Sequence, residues 1–133
     1  MRYYKQIKSG FGKGDCLKTC IGCLMNINPR KIPNFSVKSA WYEDMGRWLM
    51  ERGWGVVYCE NVEDLWGCTA IAVGLSPRCD EEDGSKVGRE KKLHCVIVDT
   101  SPGESYWVHD PHPSNAYLLD VRYFLVLVKR EPK

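Results

Sequence analysis

Leu93-His94-Cys95-Val96-Ile97-Val98-Asp99 is the stretch on which the fold turns. A run of apolar, mostly β-branched residues of this length reads as a strand. A histidine inside it must find a polar partner or an exposed site to offset its desolvation. The next such run, Ser105 to Asp110 (SYWVHD), follows after a short turn, Thr100 to Glu104. Two antiparallel strands joined there bring His94 and Asp110 side by side. The side-chain alternation of strands agrees, putting His94 with Val96 on one face and Val108 with Asp110 on one face.

Three more strand-like runs surround this pair: Gly55 to Cys59 (GVVYC), Cys68 to Leu75 (CTAIAVGL) and Arg122 to Val128 (RYFLVLV). Upstream the pattern is helical. Leu17, Cys20, Ile21 and Leu24 recur at helical spacing and predict a helix from Asp15 to Asn28. Asp15 is placed to accept hydrogen bonds from the first turn, and Pro29 and Pro33 enforce a loop beyond it. A second helix is expected from about Val37 to Arg52, with Trp41, Met45, Trp48 and Leu49 as its stripe, Ser36 or Ser39 as its cap and Gly53 or Gly55 at its end. Helices early and strands late predict an α+β domain, with N-terminal helices packed on a mostly antiparallel sheet of about five strands. No linker or repeat divides residues 1–133, so a single domain is expected. The polar stretch Arg78 to Lys92 reads as a long exposed loop.

Composition narrows the class. With 44% apolar and 27% charged residues the chain is globular rather than disordered. A net charge of +2 gives no reason to expect nucleic acid as a partner. The longest apolar run, Tyr123 to Val128, is far short of a membrane span, and the first residues lack a signal-peptide pattern, so a cytoplasmic, membrane-free protein is expected. Seven cysteines without a secretion signal argue against a disulfide framework. For Cys59, Cys68 and Cys95, in strand-like runs, a role as small apolar filler suffices. Trp41, Trp48, Trp54, Trp66 and Trp107 are expected mainly in the core.

Cys16 differs from the other thiols because it falls in a first helical turn, where free N–H groups and the helix dipole favour thiolate. A thiol nucleophile needs a base and a group to orient that base. His94 and Asp110 supply the two residue types in the right order of elements. A competing reading takes Cys16, Cys20 and Cys23 with His109 or His112 as a zinc set. Another takes the three cysteines as an iron–sulfur motif, although one helix spreads them over about 10 Å of axis. No cofactor or metal is assigned.

The stretch GDCLKTCIGCLMNINPRKIPNF (Gly14 to Phe35), with SPR, LHCVIV and VHDPHPSNAYLL further on, resembles a group of short phage and bacterial proteins within the papain-like cysteine peptidases. The resemblance covers most of the chain. It implies Cys16 as nucleophile, His94 as general base and acid, and Asp110 as orienting carboxylate. Where such enzymes place an oxyanion-stabilising glutamine shortly before the nucleophile, this chain has Gly10, and Gln6 is the nearest candidate. The cysteine at position 95 replaces the small alanine of that group, a change expected to alter packing more than chemistry.

The expected function is therefore a cysteine-dependent hydrolase or acyl-transferase acting on a peptide, isopeptide or other amide or thioester bond, with a protein, peptide or small molecule as substrate. Substrate contacts are assigned to Gly14, Asp15, Trp66, Ser76, Arg78 and His112. The alternative is a phage-encoded binding protein of the same fold, in the host cytoplasm, that captures a host protein or a small ligand without catalysis. Arg78, Lys13 and Lys18 would then serve an anionic ligand.

Overall fold

The computed structural model describes residues 1–6, 15–35, 40–77 and 93–130. Two helices, α1 (Cys16–Met25) and α2 (Trp41–Glu51), precede five strands: β1 (Trp54–Cys59), β2 (Thr69–Leu75), β3 (Leu93–Ser101), β4 (Glu104–His109) and β5 (Asp120–Lys129). The strands lie in the order β1-β5-β2-β3-β4 and every pairing is antiparallel. The chain is α+β, with an open sheet edged by β1 and β4. Among the described residues no helix is long and apolar enough to cross a membrane. The stretch expected as a loop, Arg78 to Lys92, lies outside the described residues.

Helix α1 stops at Met25, short of the expected Asn28, because Asn26 turns left-handed (φ 57°) and returns its N–H to the Gly22 carbonyl. Asparagine takes that conformation at lower cost than most residues, and it closes a helix as glycine would. The chain then folds tightly back: a Cβ on Gly22 would sit 2.5 Å from the Ile27 oxygen and 2.9 Å from Pro29 Cγ. Helix α2 begins at Trp41, with Ala40 at the cap position making no side-chain cap; the expected caps Ser36 and Ser39 lie outside the described residues. Met45 and Leu49 are fully buried, while Trp41 and Trp48 flank them at the margin of the core.

The sheet carries a core on each face. On one, Ile71, Val73, Cys95, Ile97 and Leu125 meet Leu17, Cys20, Ile21, Met45 and Leu49 from the two helices. On the other, Ala70, Ala72, Val96, Val98 and Phe124 are covered by Leu65 and Leu118. Double-sided burial explains why the central strands β2 and β3 read as continuous apolar runs instead of alternating ones. Two tryptophans depart from the core assignment: Trp66 is 71% exposed, and Trp107 is 47% exposed and stacked on Tyr117. Neither belongs to the helix-covered core cluster.

Two irregularities shape one end of the sheet. At Val73/Gly74 the β2–β5 register shifts, and a Cβ on Gly74 would fall 1.8 Å from the Asp120 carbonyl oxygen, so β5 crosses there at a distance only glycine permits. At Ile97/Val98 the β3–β4 register shifts too: Val98 pairs with Trp107, yet Ile97 pairs with His109. Val108 is thus the extra residue of a bulge.

Candidate active site

The bulge decides where Asp110 points. Val108 and His109 together oppose Ile97, so the next residue, Asp110, falls to the face of Val96 and His94 rather than that of Cys95. Without the extra residue the carboxylate would turn to the helix side. His94 Nε2 lies 2.6 Å from Asp110 Oδ1, and both side chains are buried. An ionised carboxylate only accepts, so Nε2 carries the hydrogen.

Asp110 is held from three directions. Besides His94, the backbone N–H of His112 donates to Oδ1 (2.9 Å) and that of Tyr117 to Oδ2 (2.8 Å). Tyr117 reaches this position with φ 58°, an uncommon conformation for an aromatic residue, and Asn115 is left-handed as well. Such backbone costs on the order of 1–3 kcal/mol each and persists only where surroundings enforce it. Lys5 helps enforce it: its ammonium donates to the Asp110 carbonyl (2.8 Å), the His112 carbonyl (3.4 Å) and Asn115 Oδ1 (2.6 Å). The Asp110–Tyr117 turn is therefore a tied structure that aims two N–H groups at one carboxylate.

The thiol arrives from the other side of the sheet end. Cys16 is the first residue of α1, 8% exposed, and lies in the same buried cluster as Cys95, the residue that follows His94. With Nε2 committed to Asp110, Nδ1 is the ring nitrogen available to another partner. The hydrogen bond from Cys95, then that from His94 and its charge, hold the Cys16 thiol well below the usual thiol value, against burial, which pushes it up. Burial likewise opposes charge on His94, but the bond to Asp110 and then the Cys16 sulfur prevail, and its pKa is pushed up to about 9. Burial also opposes the Asp110 charge, yet His94 and the two N–H donors bring the carboxyl below its ordinary value. The shifts favour the charged form of each of the three groups, and His94 and Asp110 are joined at 2.6 Å.

Gln6 is brought to this site by the N-terminal segment 1–6, which is neither helix nor strand. Its N–H donates to the Pro111 carbonyl (2.9 Å), one residue from Asp110, and its side chain is buried. Tyr4 anchors the same segment, donating its N–H to Cys23 Sγ (3.1 Å) and accepting His109 Nε2 on its carbonyl (2.6 Å). These bonds occupy Cys23 and His109 structurally, and among the described residues no group of three or more His, Cys, Asp or Glu could hold a metal ion.

Of the assigned substrate contacts, Asp15 and His112 adjoin the triad. Asp15 is buried at the α1 cap position, but its side chain makes no capping bond; its carbonyl accepts both Thr19 N–H (3.0 Å) and Thr19 Oγ1 (2.7 Å). His112 lies edge-to-face with His94, ring centres 6.3 Å apart. Its Nδ1 accepts the Ser114 N–H (3.0 Å), so its own proton sits on Nε2. Ser76 is buried just beyond β2, at the end where Gly74 pairs with His94. Trp66 is not at the site: it precedes the opposite end of β2, near Thr100, with its indole donating to the Glu63 carbonyl. Gly14 and Arg78 lie outside the described residues.

Lys5, Tyr117 and Cys95 belong to the site and were missed by sequence reasoning. Cys95 carried the only available signal, its place beside His94 on a strand whose alternate residues face α1. Lys5 and Tyr117 act through long-range backbone geometry and left no local pattern.

No protein-family model matches the chain, and neither a curated protein nor a solved structure does. The reading of function therefore rests on the site itself.

Proposed function

We propose that the protein is a cysteine-dependent hydrolase or acyl-transferase of papain-like type, acting on a peptide, isopeptide or other amide or thioester bond. The observation that carries this reading is the 2.6 Å His94–Asp110 bond, buried, with a buried thiol at a helix start, Cys16, whose pKa Cys95 and His94 lower. In the proposed cycle the Cys16 thiolate attacks the carbonyl carbon. His94 gives its proton to the leaving nitrogen or sulfur, then takes one from the water or amine that resolves the acyl-enzyme. Asp110 keeps the imidazole oriented and stabilises its charge. The Cys16 backbone N–H, which has no acceptor within its own helix at the first helical position, and the Gln6 amide are the proposed oxyanion donors.

Iodoacetamide at mildly acidic pH, with the adducts mapped by mass spectrometry, tests this. An activated thiolate predicts that Cys16 is alkylated well ahead of the other six cysteines. Uniform slow labelling would sink the catalytic reading.

A cavity of about 240 Å³ favours the second reading, a binding protein of the same fold, phage-encoded, that holds a host protein or small ligand. It lies on the flank of α1 beside Asp15 and is lined by three cations, Lys5, Lys18 and Arg30. A small anion is the ligand they suit.

A further inference from the structure

We propose that the cavity on the flank of α1 is a subsite for an oxyanion group of the substrate, so that the preferred acyl donors carry a carboxylate or a phosphate about one residue from the bond that Cys16 attacks. The proposal rests on the reading of Cys16 as the nucleophile. Of the residues around the cavity, Asp15, Thr19 and Pro29 are buried, whereas Lys5, Asn28 and Arg30 are exposed, so it is a cup open to solvent and not a sealed void. Its volume is about 240 Å³. With a water occupying about 30 Å³ of liquid, that space suits an acidic side chain or a phosphate group and excludes a folded partner.

Two wall residues join the cavity to the proposed catalytic groups. Asp15 immediately precedes Cys16, and consecutive Cα atoms are about 3.8 Å apart. Lys5 reaches the Asp110 carbonyl at 2.8 Å. The lining itself is a product of the local fold. Asp15, Lys18, Thr19 and Gly22 recur at helical spacing and share one side of α1. The chain that leaves α1 folds back over Gly22, where a Cβ would meet the Ile27 oxygen at 2.5 Å and Pro29 Cγ at 2.9 Å. That return brings Arg30 to the same side, in the short turn Pro29–Lys31, where Asn28 Oδ1 accepts the Arg30 N–H (3.0 Å).

Three cations stand against one carboxylate, Asp15, so the lining is net positive. The cations are not equivalent. An ammonium has three N–H donors, and those of Lys5 go to the Asp110 carbonyl, the His112 carbonyl and Asn115 Oδ1. Lys5 therefore contributes charge to the cavity and no bond. Among the described residues no hydrogen bond or ion pair engages the Lys18 ammonium or the Arg30 guanidinium. These two can donate to an incoming oxyanion, and the planar guanidinium fork matches carboxylate and phosphate alike.

Two matched pairs of alkylating probes test this on the full-length protein: bromoacetyl-aspartate amide against bromoacetyl-asparagine amide, and bromoacetyl-phosphoserine amide against bromoacetyl-serine amide. Adducts at Cys16 are timed by mass spectrometry at fixed ionic strength. In at least one pair the acidic probe is expected to react about fivefold faster than its neutral partner, the upper range for one exposed charge contact. The pair with the larger ratio tells whether the group is a carboxylate or a phosphate. Lys18→Ala and Arg30→Ala should each bring that ratio toward one, and inorganic phosphate should do the same in the parent protein. Arg47→Ala, which removes an exposed cation on α2, should keep it. A ratio near one in both pairs, or one that survives both lining substitutions, overturns the subsite. Should a variant fail to fold, phosphate competition in the parent decides alone, and an unmoved ratio there overturns it as well. The neutral probes separate the two readings. Cys16 alkylated ahead of the other six cysteines with no preference for the acid sinks the subsite only, whereas unselective alkylation sinks the catalytic assignment.

Discussion

Cys16 and Cys20 stand one turn apart on the same helix, both buried, and their thiols are driven in opposite directions. For Cys20, burial and then the negative charge of Cys16 push the thiol well up. For Cys16, the hydrogen bonds from Cys95 and His94 overcome the same burial and bring it well down. Cys23, a further turn along, is pushed up by burial while its sulfur bonds the Tyr4 backbone. Burial is thus common to all three, and what separates Cys16 is the hydrogen bond from Cys95 together with the His94 imidazole. Placement against β3, not residue type, lowers one of three similar thiols while the other two are raised.

The largest effect expected from breaking this contrast is loss of the carboxylate. Asp110→Ala strips the acceptor from His94 and leaves the His112 and Tyr117 N–H groups without one. Removing one member of a buried charged pair costs about 3–5 kcal/mol, readable as a lower denaturant midpoint. Asp110→Asn, which keeps an acceptor oxygen, should lose less. A midpoint unchanged in Asp110→Ala would mean that no buried pair exists there.

Next in size is the pH dependence of stability. His94 has a folded pKa of about 9 against an ordinary 6.5. Its contribution is therefore complete below about 6.5 and is lost as pH rises through about 9. Asp110, lowered in the fold, contributes above the ordinary carboxylate range, and that part is lost as pH falls through its depressed value. Denaturation midpoints measured across neutral to alkaline pH should decline through the upper window in the parent protein and stay flatter in His94→Ala. An equally steep alkaline decline in both would assign it to other groups.

The strand order along the chain, the two helices and the His94–Asp110 pairing were legible because each depends on local periodicity or on one short hairpin. What was not legible depends on departures from regularity. Alternation alone grouped Asp110 with Val108, whereas the bulge puts Val108 beside His109 and sends Asp110 to the other face, so the expected partnership is reached by a different register. The end of α1 came early through a single left-handed Asn26. Cys95 read as filler because its meaning comes from a helix 79 positions away in sequence, seated over its face of the sheet. The distance of Trp66 from His94 was likewise illegible, because it follows from the three-dimensional course of β2, whose Gly74 end pairs with His94 while Trp66 precedes its Thr69 end.

A smaller effect separates the thiols directly. In His94→Ala the imidazole no longer supports the Cys16 charge, and each unit of pKa regained costs about tenfold in thiolate at mildly acidic pH. Cys16 alkylation should slow by about that factor or more, while Cys20, which owes nothing to His94, keeps its slow rate. Equal rates for parent and variant would leave Cys95 and the helix start as the whole cause.

The smallest effect is expected at the far end of the sheet, and its smallness is informative. Trp66 precedes Thr69, which pairs with Asp99, whereas Gly74 pairs with His94; at about 3.3 Å per residue the two ends of β2 are roughly 17 Å apart. The indole is 71% exposed and bonded only to its own turn, at the Glu63 carbonyl. Trp66→Ala should change stability by about 0.5 kcal/mol or less and leave the Cys16 alkylation rate and its pH profile where they were. If the rate moved as far as in His94→Ala, the thiol would be governed by something reaching it along the sheet. The contrast between Cys16 and Cys20 could then no longer be ascribed to their immediate neighbours.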